Sequence, residues 1–213
     1  MQKYSVFSLI KNAFSNHQNW EVAWKDPTPK SEYDVVIIGG GGHGLATAYY
    51  LAKEHNIRNV AIIEKGWIGG GNVGRNTTII RSNFMYDANA RFNEFGMDLW
   101  RNLSQELNFN VMFSPRGIIN LAHSDAQMNA YARRGNSMRL NGIDAKLLDR
   151  DEVKKLIPMA DFSDEVRFPI FGGLMQPSAG TARHDAVAWG YARQADDMGV
   201  DIIQHCEVTG FDV

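Results

Sequence analysis

A single cysteine, Cys206, stands in a chain of 213 residues, so no internal disulfide can form and a reducing compartment is expected. Charge of one sign is missing too, because 22 Lys and Arg against 24 Asp and Glu leave a net charge of −2. With no basic surplus and no long like-charge run, nucleic acid is not an expected partner. No apolar run is long enough to span a bilayer. The segment Met1 to Gln18 carries Lys3 and Lys11, but Ser, Asn and Lys interrupt its apolar residues and no small-residue cleavage site follows. It makes a poor secretory signal, and a cytoplasmic protein without a membrane anchor is the expectation. His55, His123 and His205 stand at no metal-ligand spacing with Cys206, so no metal is assigned. A nucleophile elbow, a paired-cysteine motif, internal repeats and low-complexity segments are likewise missing.

What the chain does have is 44% hydrophobic residues, enough for a core in one domain or one and a half, and a particular use of its glycines. The apolar run Asp34-Val-Val-Ile-Ile leads straight into Gly39-x-Gly41-x-x-Gly44 and then into helical sequence through Tyr50. Glycines so placed let the backbone turn sharply, approach a pyrophosphate and pack helix on strand, while the helix N-terminus offers free N–H groups and partial positive charge. A second strand, Asn59-Val-Ala-Ile-Ile-Glu64, ends in an acid twenty residues beyond Gly44, where a carboxylate can bind the adenosine ribose. A flexible glycine connector would not account for Glu64, so a dinucleotide site is predicted.

Residues 1–32 read as an N-terminal arm, extended, with Trp20, Trp24 and Pro27-Thr-Pro29 lying on a surface of either its own domain or a neighbouring subunit. Tyr33 to Glu64 reads as a parallel strand–helix–strand unit. Gly66 to Ser82 is a glycine- and asparagine-rich loop, too long for a simple connector and of the kind that wraps ligands. Phe92, Phe95, Leu99, Leu103 and Leu107 recur at helical spacing, predicting an amphipathic helix near 88–107 with a buried aromatic face. Strand is expected over 113–123, helix over 126–140, a capped short helix from Asp149-x-x-Glu152, and strand again over 167–176. A helix over 184–198 and two short strands, 200–204 and 207–213, complete the reading. The parallel sheet thus starts early, breaks off, and resumes near residue 200. An unfinished sheet would expose an unpaired edge, so the chain is expected to be the N-terminal part of a longer polypeptide.

The glycine fingerprint cannot choose between nicotinamide and flavin enzymes, but the loop after Glu64 can. Gly69-Gly-Gly-Asn-Val-Gly-Arg-Asn-Thr-Thr78 resembles the corresponding loop of the FAD amine oxidases related to D-amino acid oxidase. Together with Gly39-Gly-Gly-Gly-His-Gly-Leu-Ala-Thr-Ala-Tyr49, Glu64-Lys-Gly-Trp67, Arg75-Asn-Thr-Thr-Ile-Ile-Arg-Ser-Asn83, Arg183-His-Asp185 and the Val200-Asp-Ile-Ile-Gln204 strand, it resembles the β subunits of heterotetrameric sarcosine oxidases. The resemblance spans Tyr33 to Gly210. It implies an α/β fold: a Rossmann-like FAD-binding domain of the D-amino acid oxidase and glutathione reductase type with an inserted α+β substrate-domain segment, the C-terminal half being absent here. The implied division is 33–84 for the first part of the FAD-binding domain, 85–180 for the substrate or interface segment, and 181–213 for the incomplete return.

The same resemblance implies oxidation of the N-methyl group of sarcosine to give glycine, hydrogen peroxide and, with tetrahydrofolate, 5,10-methylenetetrahydrofolate. FAD would oxidise the substrate and pass electrons to an FMN at the α/β interface. The partners implied are α, γ and δ subunits, with NAD and the folate site in α. Gly39, Gly41, Gly42, His43, Gly44, Glu64, Asn72, Arg75, Thr77 and Ile79 are the FAD-binding candidates, with Val208 as an adenine contact from the resumed strand. For His43 either the side chain or the backbone alone serves. His184 matches the histidine that the family bonds covalently to the FMN 8α-methyl carbon, with Arg183 where Lys also occurs. A helix N-terminus disfavours a cationic imidazole, whereas Asp185 either favours the protonated ring or orients it. The residues that position sarcosine are expected beyond Val213, so no catalytic residue is assigned. Two other readings stand beside this one: a related single-chain FAD enzyme acting on glycine, dimethylglycine or another secondary amine, and a truncated inactive subunit that only binds partners or nucleotide.

Overall fold

The computed structural model describes residues 5–18, 20 and 22–212 and divides them into two compact units. The first comprises residues up to 78, then 103–112 and 183 onward; the second comprises 79–102 and 113–182.

In the first unit, the apolar run Val35–Ile38 forms β1, Gly42–His55 forms α2, and Val60–Ile63 forms β2. The sheet is parallel, in the order β1-β2-β8, where β8 is Asp201–Ile203. Val35 pairs with Val60 and Ile38 with Ile63, while Ala61 pairs with Asp201 and Ile63 with Ile203. The central strand β2 is buried along Val60, Ala61 and Ile62, as a strand covered on both faces must be. Edge strand β1 leaves Val36 and Ile38 exposed. Helix α2 ends at Asn56, whose left-handed conformation (φ 55°) lets the chain turn into β2. Its buried Leu45, Ala48, Tyr49 and Ala52 share the core with Tyr191, Ala192 and Ala195 of α6, His184–Asp197, and the Tyr49 and Tyr191 rings lie 5.5 Å apart.

Four features depart from the sequence-based expectations. The arm contains a helix, α1, Val6–Phe14, capped by the Ser5 hydroxyl, which accepts from the Ser8 N–H at 3.1 Å. The helix expected near 88–107 forms as α3, Asp87–Glu106, but Phe92 and Phe95 are 77% and 65% exposed; the buried positions are Ala90, Met97 and Leu103. Periodicity located an apolar stripe without saying which stripe is covered. Residues 207–212 form no strand, so Val208 lies half-buried in an irregular segment; Val213 is outside the described residues. Finally, 103–112 belongs with the first unit, although it lies inside the segment expected to form a continuous insert.

The second unit is α+β. β4 (Ile118–Ala122), β6 (Gly172–Gln176) and β5 (Lys146–Asp149) form an antiparallel sheet in that order. Helix α4, Asp125–Leu140, contributes Met138 to a cluster with Ala90, Ile143 and Leu174. Helix α5, Arg150–Leu156, starts in the expected capping box, Asp149 accepting from the Glu152 N–H and Glu152 accepting from the Asp149 N–H. Two short strands, β3 (Ile79–Ile80) and β7 (Gly180–Thr181), pair antiparallel, and Ser114 bridges to Thr181 on the other side. Among the described residues no helix is long and apolar enough to cross a membrane.

Candidate dinucleotide site

The glycine loop is shaped by two different demands. Gly39 turns at φ 105°, a conformation costly for any residue with a side chain, and its N–H donates to Ile63 O at 2.8 Å, so the turn is fixed to the sheet. Gly44 sits where helix meets turn: a Cβ there would lie 2.1 Å from Gly39 O and 3.2 Å from Ile37 Cγ2. At Gly41 and Gly42 a Cβ would meet Val73 Cγ2 at 3.7 and 3.5 Å, ordinary contacts. Gly41 caps α2 without a side chain, and the first helical bond runs from the Leu45 N–H to Gly41 O at 3.0 Å. The amides of Gly42, His43 and Gly44 therefore have no acceptor within the helix and carry the positive end of its dipole. Such an end binds phosphate oxygens.

Glu64 does something that its spacing did not announce. Its Oε2 accepts from the Gly40 N–H at 2.7 Å and its Oε1 from the Gly66 N–H at 2.8 Å, tying the glycine turn to the loop after β2. An ionised carboxylate has about four lone-pair positions, so two donors leave room for hydroxyl groups. The chain after β8 joins the same corner: His205 N–H donates to Gly66 O at 2.9 Å, Cys206 N–H to Glu64 O at 3.0 Å, and Ile68 N–H to the Gln204 side chain at 2.9 Å. Within the glycine-rich loop, Asn72–Arg75 forms a 3-10 turn whose Val73 lies against the start of α2. Asn72 and Arg75 flank this contact in the turn and are themselves exposed. Thr77 is exposed; next to it, Thr78 holds φ 60°, its N–H donating to Asn76 Oδ1 at 2.7 Å. For a β-branched residue that is a strained backbone.

Ile79, partly exposed, lies in β3 of the second unit. The residues following β3 are locked by a buried polar network. The Ser82 N–H donates to Gln176 Oε1 at 3.0 Å, Gln176 Nε2 donates to Ser82 Oγ at 2.7 Å, and Ser82 Oγ donates to Glu94 at 2.5 Å. Asn83 Nδ2 donates to Asn120 Oδ1 at 2.8 Å. A cavity of about 310 Å³ opens beside this segment, lined by Ile79, Arg81, Phe92, Phe95, Leu99 and Trp100. The Arg81 guanidinium donates to Asn83 Oδ1 at 2.6 Å and lies over the Phe84 ring, 5.1 Å from its centre.

A larger cavity, about 600 Å³, lies in the first unit where the segment 104–112 passes the start of α6. Gly190 allows that approach; a Cβ there would meet Leu107 Cδ1 at 3.0 Å. Phe109, Met112, Trp189 and Ala186 give the cavity apolar walls, and Arg183, Asp185 and Asn110 give it polar ones. Arg183 holds Asp185 through paired bonds, one of them Nε to Oδ1 at 2.9 Å, and the Ala186 N–H donates to the same carboxylate. The Arg183 guanidinium and that backbone N–H hold the Asp185 carboxyl down at about 2. Asp185 is thereby committed to Arg183 and to its own helix. His184 is half-buried, its Nδ1 enclosed without a hydrogen-bond partner, and it is not among the wall residues of the cavity its neighbours line.

The sequence model of the FAD-dependent oxidoreductase family matches residues 34–213. The chain belongs to that family. It is similar to the sarcosine oxidase subunit beta of Rhizobium meliloti (strain 1021), 62% identical over 208 residues, which are 98% of this chain and 50% of that protein. The sarcosine oxidase subunit beta of Rhodobacter capsulatus is 53% identical over 210 residues, 99% of this chain and 50% of that one. Among solved structures, L-proline dehydrogenase from P. horikoshii superimposes with a TM-score of 0.78 at 29% identity, over 86% of this chain and 46% of that one. The chain spans about half the length of the curated relatives it matches.

The fold expected from the sequence, α/β and Rossmann-like with an inserted segment, is that of FAD-dependent oxidoreductases. FAD fits the glycine corner on the structure's own terms. The amides at the start of α2 have no side-chain cap, and Glu64 stands at the end of the adjacent strand with lone pairs to spare. Sequence reasoning missed the buried Ser82–Gln176–Glu94 network and the wall formed by residues 104–112. Neither carries a spacing signal, because both depend on partners distant in sequence.

Proposed function

We propose that this chain is the N-terminal portion of the β subunit of a heterotetrameric sarcosine oxidase. The observation that supports it most is the 62% identity to a sarcosine oxidase subunit beta across 98% of the chain. In this reading Gly41, Gly42, His43 and Gly44 present backbone N–H groups to the pyrophosphate of FAD. Glu64 accepts from its ribose hydroxyls, and Asn72, Arg75, Thr77, Ile79 and Val208 line its length, with Gly39 setting the turn. FAD, when bound, takes the electron pair from the N-methyl carbon of sarcosine.

In this reading a second flavin, FMN, would be held by a bond to His184 and would supply electron transfer to oxygen. The cavity lined by the neighbours of His184, Arg183 and Asp185, and by Phe109, Met112 and Trp189 would lie beside this flavin. The unpartnered Nδ1 of His184 suits a ring reserved for a ligand, since an imidazole nitrogen enclosed without a partner costs about 1–3 kcal/mol. The remaining partners are α, γ and δ subunits, α carrying NAD and the site at which tetrahydrofolate accepts the one-carbon unit; the assembly serves sarcosine catabolism and one-carbon metabolism in the cytoplasm.

The test uses the full-length polypeptide co-expressed with its partner subunits. After acid precipitation and washing, flavin fluorescence should remain on the β band of a denaturing gel and vanish in His184→Ala, and the assembled enzyme should release hydrogen peroxide on addition of sarcosine. A colourless band, with all flavin in the supernatant, sinks the covalent assignment. The second reading, a FAD-dependent oxidase or dehydrogenase of another secondary amine, then takes first place. The likeness to an L-proline dehydrogenase favours it. Loss of any amine-dependent flavin reduction would leave the inactive binding subunit.

A further inference from the structure

Helix α1 is built inside out. Ser5, Ser8, Asn12 and Ser15 recur at helical spacing, and these polar positions are the less exposed ones of the segment, Asn12 being buried with its Nδ2 donating to Ser8 O at 2.8 Å. Val6, Phe7, Leu9, Ile10 and Phe14 all face outward, Phe7 82% and Phe14 89% exposed. A helix that belongs to a soluble domain turns its apolar stripe to the core. The arm is fastened to its own unit further along: the Lys25 N–H donates to Asp196 at 3.0 Å, Lys30 pairs with Asp201 at 2.9 Å, and the Tyr33 hydroxyl donates to Asp201 at 2.9 Å. These contacts fasten residues 25–33, and among the described residues the apolar stripe of α1 stays exposed.

Area and composition together select the occupant. The five apolar side chains present on the order of 600 Å², short of the roughly 800 Å² per partner of a stable stand-alone interface. A second copy seated on α1 alone would therefore hold weakly, whereas an arm that extends a larger interface gains in full. A membrane surface is disfavoured because interfacial helices carry a Lys- and Arg-rich polar face, and here that face is Ser and Asn with Lys11 beside it. The FAD-dependent family match begins at residue 34, so the oxidoreductase fold as such does not include α1, whereas the sarcosine oxidase β subunits of Rhizobium meliloti and Rhodobacter capsulatus align with 98% and 99% of the chain and that of Arthrobacter with 90%.

We propose that α1 is a docking helix that inserts Phe7, Ile10 and Phe14, one face at i, i+3 and i+7, into an apolar groove on a different subunit of the same assembly. This rests on the subunit reading above. The test compares the full-length polypeptide with its Phe7→Ser/Ile10→Ser/Phe14→Ser variant, each co-expressed with the partner subunits and captured through a tag on a partner. A third protein carrying Leu at the same three positions preserves apolarity. Association should weaken about a hundredfold or more in the Ser variant and be retained in the Leu variant, while the Ser variant purified alone keeps its bound FAD and its melting temperature. Unchanged assembly of the Ser variant overturns the proposal while sarcosine-dependent peroxide formation still upholds the subunit reading. Four other results also overturn it: loss of FAD from the lone variant, which would mean that its own chain covers the helix; an α1-dependent homodimer by light scattering; α1-dependent flotation with anionic vesicles; and failure of the wild type to capture any partner. Only the last of these, joined to a lack of sarcosine oxidation, would remove the subunit reading as well.

Discussion

Replacing Gly44 by Ala and Gly41 by Ala should break the same loop in two different ways. At Gly44 the added carbon would stand 2.1 Å from Gly39 O and 3.3 Å from Gly39 C, so relief requires moving backbone by about 1 Å to restore an ordinary carbon–oxygen contact. That backbone is held by the Gly39 N–H bond to Ile63 O, and Ile37 Cγ2 at 3.2 Å closes the other side. Overpacking of this kind costs about 1–3 kcal/mol and the strained ladder bond about 1 more. A total near 3 kcal/mol lowers the melting temperature by roughly 6–12 °C in a chain of 150–250 residues, and by less in a longer one. At Gly41 the added carbon would meet only Val73 Cγ2, at 3.7 Å, and φ is −81°, open to any residue. Its cost should appear when a phosphate approaches the helix end. The assay is calorimetric melting of the full-length protein stripped of flavin and again with saturating FAD, alongside FAD titration. Gly44→Ala should melt low in both states; Gly41→Ala should match wild type without FAD and bind FAD about tenfold or more weakly. Equal melting losses in the two flavin-free variants would refute the reasoning, because the glycines would then share one role.

Three further outcomes are expected. Gln176→Ala leaves the Ser82 N–H without its acceptor and Ser82 Oγ without a donor in a closed site, so the denaturant midpoint should reveal a loss of about 2–4 kcal/mol; a loss under half a kcal/mol would mean that water replaces the amide. Glu64→Gln turns a two-way acceptor into one acceptor and one donor, setting an N–H against either Gly40 or Gly66; hydrogen exchange at one of these amides should accelerate even without FAD, and unchanged protection at both would count against the clamp. Asp185 has a carboxyl lowered to about 2 in the folded chain against about 4 unfolded, so its contribution is present above pH 4 and lost as the pH falls toward 2. The melting curves of wild type and Asp185→Asn should differ at pH 6 and converge between pH 4 and 2, whereas a gap that widens on acidification would contradict the assignment.

Much of the dinucleotide corner is legible in the residues themselves, because a tight turn, a close helix and a terminal acid each impose a residue type at a fixed interval. Gly39, Gly44 and the Asp149–Glu152 box were readable for that reason: their constraints are local. Glu64 was half readable. The spacing marked a carboxylate, but its two bonds to Gly40 and Gly66 depend on how the turn and loop converge. Phe92 and Phe95 show the limit of periodicity, which finds an apolar face but takes its burial for granted. Helix α1 escaped for a related reason, since a helix is expected to hide its apolar residues and this one displays them. Asp185 next to His184 suggested a partner for the ring, yet the guanidinium one residue further back forms the stronger pair.

The small pairing of β3 with β7 bears on how such a chain reaches its native state. Strands β2 and β8 are neighbours in the sheet but are separated by a long stretch of polypeptide, and joining the ends of a long loop has an entropic cost that grows with its length. Ile79 opposite Thr181 and Ile80 opposite Gly180 zip together the two ends of the second unit, with Ser114 fastening the same point. Once that unit has formed, the effective loop between β2 and β8 shrinks to the short stretches outside the zipper. The local β1–α2–β2 unit can arise first and β8 can join it last, so the third strand is added to a sheet already templated, and two residue pairs shorten the search that brings it there.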